Sequence, residues 1–216
     1  MIFGLCQDAN INQQLSPDMS FVNRVTLASD LQTHLASLMP AHQTAEERIR
    51  WLAKAFASIQ RWKGASDVTV AQHICDMSAR ASSEAKLAAF LHEAEEGALG
   101  DWLSPVKDMF RTLGIQNVID EMIVLPLRRE IHEMMGARWP VSAKIAAEIK
   151  MLDRRLAATE YRDTVDHRIY PSYPGAAEPY PELMLPWSKV RAEERFLELA
   201  YSLCPALACK GNEKCA

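Results

Sequence analysis

Apolar side chains return every three or four positions through most of the chain, which is the period of an amphipathic helix with one buried face. The clearest stripe is Ile49, Leu52, Ala53, Phe56 and Ile59. Thr44-Ala45-Glu46-Glu47 opens it with a hydroxyl at the cap and a carboxylate three residues on, the sequence form of a capping box. This helix is predicted to stop near Arg61-Trp62-Lys63-Gly64. An earlier helix is expected from about Ser20 to Leu38, ahead of Pro40 and after an irregular stretch over 1–20.

Further along, a segment from about Val68 to Ala81 places Val70, Ile74 and Met77 on one face. Ser82 or Ser83 caps the next, with Leu87, Phe90, Leu91 and Ala94 inward, running on to Gly97-Ala98-Leu99-Gly100. Ser104-Pro105 joins a hydroxyl cap to a proline at the first helical position, and that helix breaks at Gly114. The helix expected from about Ile115 to Met135 contains Pro126, which must kink or split it because proline lacks an N–H. Ser142 starts the stripe Ile145, Ile149, Leu152, Leu156, and Ser188 starts the stripe Ala192, Phe196, Leu199, Leu203.

Residues 164–187 differ in kind: they hold five of the 11 prolines and three of the five tyrosines, and no helix survives that density of proline. A long loop in a compact domain is functional or disordered, and Tyr170, Tyr173 and Tyr180 suit a structural role, a lid or an oligomer contact. The reading is an all-α bundle of seven or eight helices. An N-terminal extension and first helix occupy 1–43, a helical core 44–163, and the Pro/Tyr-rich loop with a C-terminal helix packed on the core 164–216.

Composition narrows the function. A chain of 216 residues that is 49% apolar and 24% charged suits one globular domain with a real core. With 24 Lys+Arg against 28 Asp+Glu, no basic excess exists for a nucleic-acid partner. No run reaches the roughly 18 apolar residues of a membrane span. The run Ile2 to Cys6, with no Lys or Arg before Arg24, is too short for a secretory signal. Cys6, Cys75, Cys204, Cys209 and Cys215 are odd in number, and the last three lack zinc-site spacing, so reduced thiols in a cytoplasmic protein are expected.

Three polar positions interrupt the apolar stripes. His73 lies beside Val70 and Ile74, and His92 lies between Leu91 and the acids Glu93, Glu95 and Glu96. Asp153 follows Leu152 at the edge of a buried stripe, where a carboxylate needs an ion pair, hydrogen bonds or a cation. Singly these read as satisfied histidines, a solvated acidic face and a surface pair of Asp153 with Arg154 or Arg155. Joined, they offer two imidazoles and two carboxylates from three helices, a ligand set for a borderline divalent ion with positions left for water.

The runs Thr69-Val70-Ala71-Gln72-His73, His92-Glu93-Ala94-Glu95-Glu96-Gly97-Ala98-Leu99-Gly100-Asp101, Ser104-Pro105-Val106-Lys107 and Leu152-Asp153-Arg154-Arg155 resemble the HD-domain phosphohydrolases. The likeness is to the 5′-deoxynucleotidase branch and its phage-type deoxynucleotide triphosphohydrolase relatives, and it runs from about Glu47 to Asp163. It implies that His73, His92, Glu93 and Asp153 hold one divalent cation (Co, Mn, Zn, Ni, Fe or Mg). Glu96 would be the acid/base that handles the attacking water, with Gly97 leaving room beside it for water and phosphate and Glu95 facing away. Asp101 would accept the 3′-hydroxyl and crowd out a 2′-hydroxyl. Arg61 and Lys107 would grip phosphate, and Trp62 would line the sugar and base pocket.

The resemblance further implies a deoxynucleotide partner, with a homo-oligomer expected and neither nucleic acid nor membrane. At Glu93 the family has Asp, and the extra methylene displaces the carboxylate by about 1.5 Å, roughly one carbon–carbon bond. Either the helix backs off, the ion shifts, or the ligand reaches it through water. A nucleotide-binding relative that has lost turnover is the alternative reading, and a purely structural helical interaction protein stands behind it.

Overall fold

The computed structural model describes residues 44–173 and 175–207. The helix expected at about Ser20 to Leu38, the irregular start, and Cys6, Cys209 and Cys215 lie outside them. The described chain is all-α: α1 (Ala45–Ser58), α2 (Val70–Arg80), α3 (Lys86–Phe90), α4 (Glu96–Leu99), α5 (Ser104–Thr112), α6 (Gln116–Ile119), α7 (Leu125–Met134), α8 (Ala143–Thr164) and α9 (Lys189–Leu203). Among the described residues the only extended pairing is an antiparallel bridge between Gln60 and Thr69.

The start signals of α1, α8 and α9 act as the sequence predicts. Thr44 Oγ1 accepts from the Glu47 amide at 3.2 Å while Glu47 Oε2 accepts from the Thr44 amide at 3.0 Å, closing the capping box of α1. Ser142 and Ser188 cap α8 and α9 by accepting from the amides of Ile145 and Arg191. α5 starts one residue earlier than the expected Ser104 cap: Leu103 takes the cap position and Ser104 is the first helical residue. Pro105 follows in the first turn, where its missing N–H is still not needed, and Gly114 follows the helix end at φ 71°. α6, a π segment over Asp120–Val124 and α7 follow one another without a break, so the expected long helix is continuous and the π segment just ahead of Pro126 accommodates the proline's missing N–H.

α2 is the central element. Eight of its residues, including Gln72, His73 and Ser78, are buried, as a helix surrounded on all sides must be. Val70, Ala71 and Ile74 join Ile49, Leu52 and Phe56 of α1 and Phe196 of α9 in the main core. Phe196 sits with its ring centroid 5.4 Å from Phe56 and 4.6 Å from Phe90, so α9 completes the core. Met77 instead meets Leu152 and Leu156 of α8 and Met184 of the Pro/Tyr-rich loop.

That loop, 165–188, has no regular structure but is bonded back along the helices. Arg162 donates to the carbonyls of Tyr180 and Glu182, Asp163 accepts from the Met184 amide, and Thr159 Oγ1 accepts from the Tyr180 amide. Gln72 of α2 donates to the Leu185 carbonyl and accepts from the Trp187 amide, which satisfies a buried amide side chain. Tyr180 is held between the guanidinium groups of Arg80 and Arg155.

One expected helix is not continuous. After Phe90 the chain makes turns through Leu91–Glu95 before resuming as α4. Glu93 and Glu96 therefore do not share a regular helix face. Glu95 is not on a solvated face: it is buried and ion-paired through both oxygens with Arg128 of α7. Gly97 also has a different reason from the expected one. A Cβ there would lie 2.7 Å from Leu52 Cδ2 and 3.2 Å from Phe56 Cε1, so the glycine admits α1 and not a phosphate.

Candidate metal centre

His73 is fully buried on α2, where the polar groups of Gln72 and Ser78 are satisfied by neighbours. Its Nδ1 lies 2.5 Å from Glu160 Oε1 of α8, while Nε2 has no hydrogen-bond partner. His92, in the turn after α3, repeats the arrangement: Nδ1 is 2.7 Å from the Ala89 carbonyl oxygen and Nε2 is buried without a partner. Both rings are thus anchored at one nitrogen with the other aimed inward, the usual posture of metal-bound imidazoles.

The inward nitrogens meet two carboxylates. His73 Nε2 lies 3.4 Å from Asp153 Oδ1 and 3.6 Å from Glu93 Oε1, and His92 Nε2 lies 3.6 Å from the same Glu93 oxygen. One ligand atom from each of His73, His92, Glu93 and Asp153 falls within 4.8 Å of the others. Glu93 Oε2 is buried without a partner as well. Two inward imidazole nitrogens without hydrogen-bond partners, set against carboxylates, are costly unless something charged joins them. The group is a fitting ligand set for a divalent ion, and its donor types suit Mn, Fe, Co, Ni or Zn.

Electrostatics favour a cation. Burial opposes a proton on His73, as does Arg61, yet Glu93, Glu160 and Asp153 together raise its pKa to about 10. Burial opposes ionisation of Glu93, but Arg61 and the two histidines bring it down to about 2. Asp153 is likewise held below the usual carboxylate range against burial, with His73 its strongest support. His92 is pushed down, chiefly by burial. Glu96 goes the other way: burial, then the Glu93 charge, holds its pKa well above an ordinary carboxyl.

Glu160 is absent from the sequence expectation. It is wholly buried and also accepts from Arg61 Nε at 2.9 Å and from Trp62 Nε1 at 3.1 Å. Glu160 lies seven residues after Asp153 and so two turns along the same face of α8, a spacing that places it beside the centre only once Asp153 is known to face α2. Arg61 itself bridges Glu160 and Glu93, with Nη1 2.8 Å from Glu93 Oε1, so its fork orients carboxylates around the centre.

Arg61 is presented by an unusual turn. Trp62 and Lys63 both take left-handed conformations, φ 57° and 51°, ahead of Gly64 at 82°. Non-glycine residues adopt this region at a cost of roughly 1–2 kcal/mol each. The flanking bonds Arg61 N to Val68 O, 2.9 Å, and Val70 N to Ile59 O, 3.0 Å, close the turn onto α2. Trp62 is half-buried, with the rings of Tyr161, Tyr170 and Tyr173 all within 6.1 Å. The loop tyrosines Tyr170 and Tyr173 thus build an aromatic wall beside the centre.

Asp101 is buried close to Arg61 and Glu96, and its carbonyl accepts from Lys63 Nζ. Lys107 stands apart from the four ligands and lines a cavity of about 340 Å³ whose wall also includes Glu96. No protein-family model matches the chain, and no curated protein matches it. Among the described residues no helix is long and apolar enough to cross a membrane.

Proposed function

We propose that the chain is a metal-dependent phosphohydrolase of the HD-domain type that cleaves the 5′-phosphate ester of 2′-deoxynucleotides. One observation carries the reading: two imidazoles anchored at Nδ1 turn orphaned Nε2 atoms toward Glu93 and Asp153, beside a buried Glu96 with raised proton affinity. A divalent ion held by His73, His92, Glu93 and Asp153 supplies a Lewis acid for a phosphoryl oxygen and lowers the pKa of a bound water.

In the reaction, the water oxygen bonds to the α-phosphorus and the bond from phosphorus to O5′ breaks, its electron pair staying on O5′. Glu96 takes the proton that the water loses and delivers it to O5′, releasing a deoxynucleoside. Burial and the Glu93 charge raise the proton affinity of Glu96, which suits a group that passes a proton on to O5′. Asp101 accepts from the 3′-hydroxyl and leaves no partner for a 2′-hydroxyl, and sites of that kind discriminate by several orders of magnitude. Trp62 with its tyrosine wall covers the sugar and base. Arg61, bonded to Glu93 and Glu160, orients both carboxylates and offers positive charge to the phosphate.

A second reading, a nucleotide-binding relative without turnover, is favoured by the Arg61 bond to Glu93, which competes with a metal for the same oxygen. Metal analysis combined with a panel of deoxy- and ribonucleotides separates the two. The hydrolase reading expects metal-dependent release of deoxynucleoside and little action on ribonucleotides. Nucleotide binding without release supports the second reading, and equal rates on AMP and dAMP remove the role of Asp101.

A further inference from the structure

From Trp102 to Pro126 no described side chain is buried, although the stretch is rich in apolar residues. It forms an arm of α5, the turn at Gly114, α6 and the π segment that leads into α7. Met109, Leu113 and Val118 on this arm are 61%, 60% and 59% exposed. Met109 and Leu113 lie four residues apart on one face of α5, and Val118 follows just past the turn. Among the described residues, the side-chain hydrogen bonds of 105–124 stay inside the arm: Arg111 and Thr112 bond to Asp108, and Gln116 bonds to Asp120. Of these residues Ile123 alone packs on the main core. Single exposed apolar side chains are ordinary, but a run of them along an arm without one buried residue marks a face that something covers.

The chain carries a suitable cover of its own. Residues 1–43 lie outside the described residues and join α1 at Thr44. The helix predicted from about Ser20 to Leu38 places Leu27, Leu31, Leu35 and Leu38 in one stripe, with Thr26, Thr33 and Ser37 opposite, and such a stripe needs an apolar counterpart. The point of entry is near the arm. Arg48, one turn into α1, pairs with Glu130 of α7, and Leu125 lies five residues before Glu130, about 7.5 Å along that helix. Met39 to Gln43, set off from the helix by Pro40, span about 17 Å when extended, enough to bring the stripe back over the arm. A segment tethered by so short a linker meets its site at a roughly millimolar effective concentration, which favours it over a second copy of the chain. We infer that the leucine stripe of residues 20–38 docks on Met109, Leu113 and Val118 and covers the arm. The arm leaves the candidate centre at Asp101, three residues before α5, so its cover fixes the chain on that side of the centre. This docking does not depend on the activity of the centre.

Photo-cross-linking of the full chain, with a benzophenone amino acid in place of Leu113 and the joined peptides read by mass spectrometry, tests it. Docking expects the cross-links to fall on 21–38 of the same chain, in a species that runs as a monomer in denaturing gels. Leu31→Asp combined with Leu35→Asp lowers that yield by about tenfold or more, because two apolar side chains are lost from the contact. Thr33→Asp, on the opposite side of the predicted helix, leaves it unchanged. The reverse placement, with the benzophenone in place of Leu27, marks 105–125 and decides the matter even if the double variant fails to fold. Cross-links between two chains put a second copy on the arm and overturn the proposal. Cross-links that miss 21–38, or a yield that the folded double variant retains, overturn it as well.

Discussion

At the scale of single residues, the centre depends on groups that do not themselves face the proposed ion. Glu160 holds His73 Nδ1 and, through the same carboxylate, Arg61 and Trp62. Glu160→Gln therefore keeps the shape but loosens three partners, and affinity for Mn or Co is expected to fall about 10–100-fold by calorimetry. Glu96→Ala is expected to cut turnover by about 10²–10⁴-fold while metal content persists. Glu95→Ala, which a regular helix would make silent, instead unpairs Arg128 and is expected to cost about 1–3 kcal/mol in denaturant melts. The types His73, His92, Glu93 and Asp153 were legible because each interrupts or borders an apolar stripe. Glu160 was hidden because one acid on a charged helix looks like any other until the register of α8 against α2 is known.

At the scale of elements, caps and breakers were the reliable signals: Thr44, Ser142, Ser188 and Gly114 all act where the chain places them. Periodicity was less faithful between Phe90 and Glu96. There Leu91, Glu93 and Glu95 are buried in turns ahead of α4, and the pair of Glu95 with Arg128 is among the tertiary contacts that override helical propensity. The close approach of α4 to α1 at Gly97 gives a clean test. Gly97→Ala drives a methyl into Leu52 and Phe56, both at most 2% exposed, and is expected to destabilise by about 1–3 kcal/mol in thermal or chemical melts. An unchanged melting point would show that α4 does not pack on α1 this way.

Over the whole molecule, α2 shares one face with α1 and α9 and the other with α8 and the Pro/Tyr-rich loop, so every proposed ligand hangs on the same core. The helical class was legible from period alone. The strapping of residues 165–188 along α8 was not, because its bonds run from side chains to loop carbonyls and amides and leave no periodic trace. Acid should loosen this assembly in part through His132, buried against Trp139. Burial, then Arg128, lowers its pKa to about 4 from an unfolded value of 6.5. The unfolded chain binds a proton between these values that the fold refuses, so stability is full above pH 6.5 and falls as pH drops toward 4. Denaturant melts of wild type and His132→Gln at pH 7.0, 5.5 and 4.5, as roughly spaced points across that window, should show a shallower acid slope in the variant.

The central claim is that four side chains from α2, α8 and the turn after α3 close around one divalent cation. An anomalous-scattering map from crystals grown with Mn tests it directly. The account predicts a single peak with His73 Nε2, His92 Nε2, Glu93 and Asp153 all at about 2.0–2.3 Å, Glu160 still bonded to His73 Nδ1, and Glu96 outside the ligand shell. A map with no peak among these residues, or with Asp153 turned away to Arg154 and solvent, would contradict it.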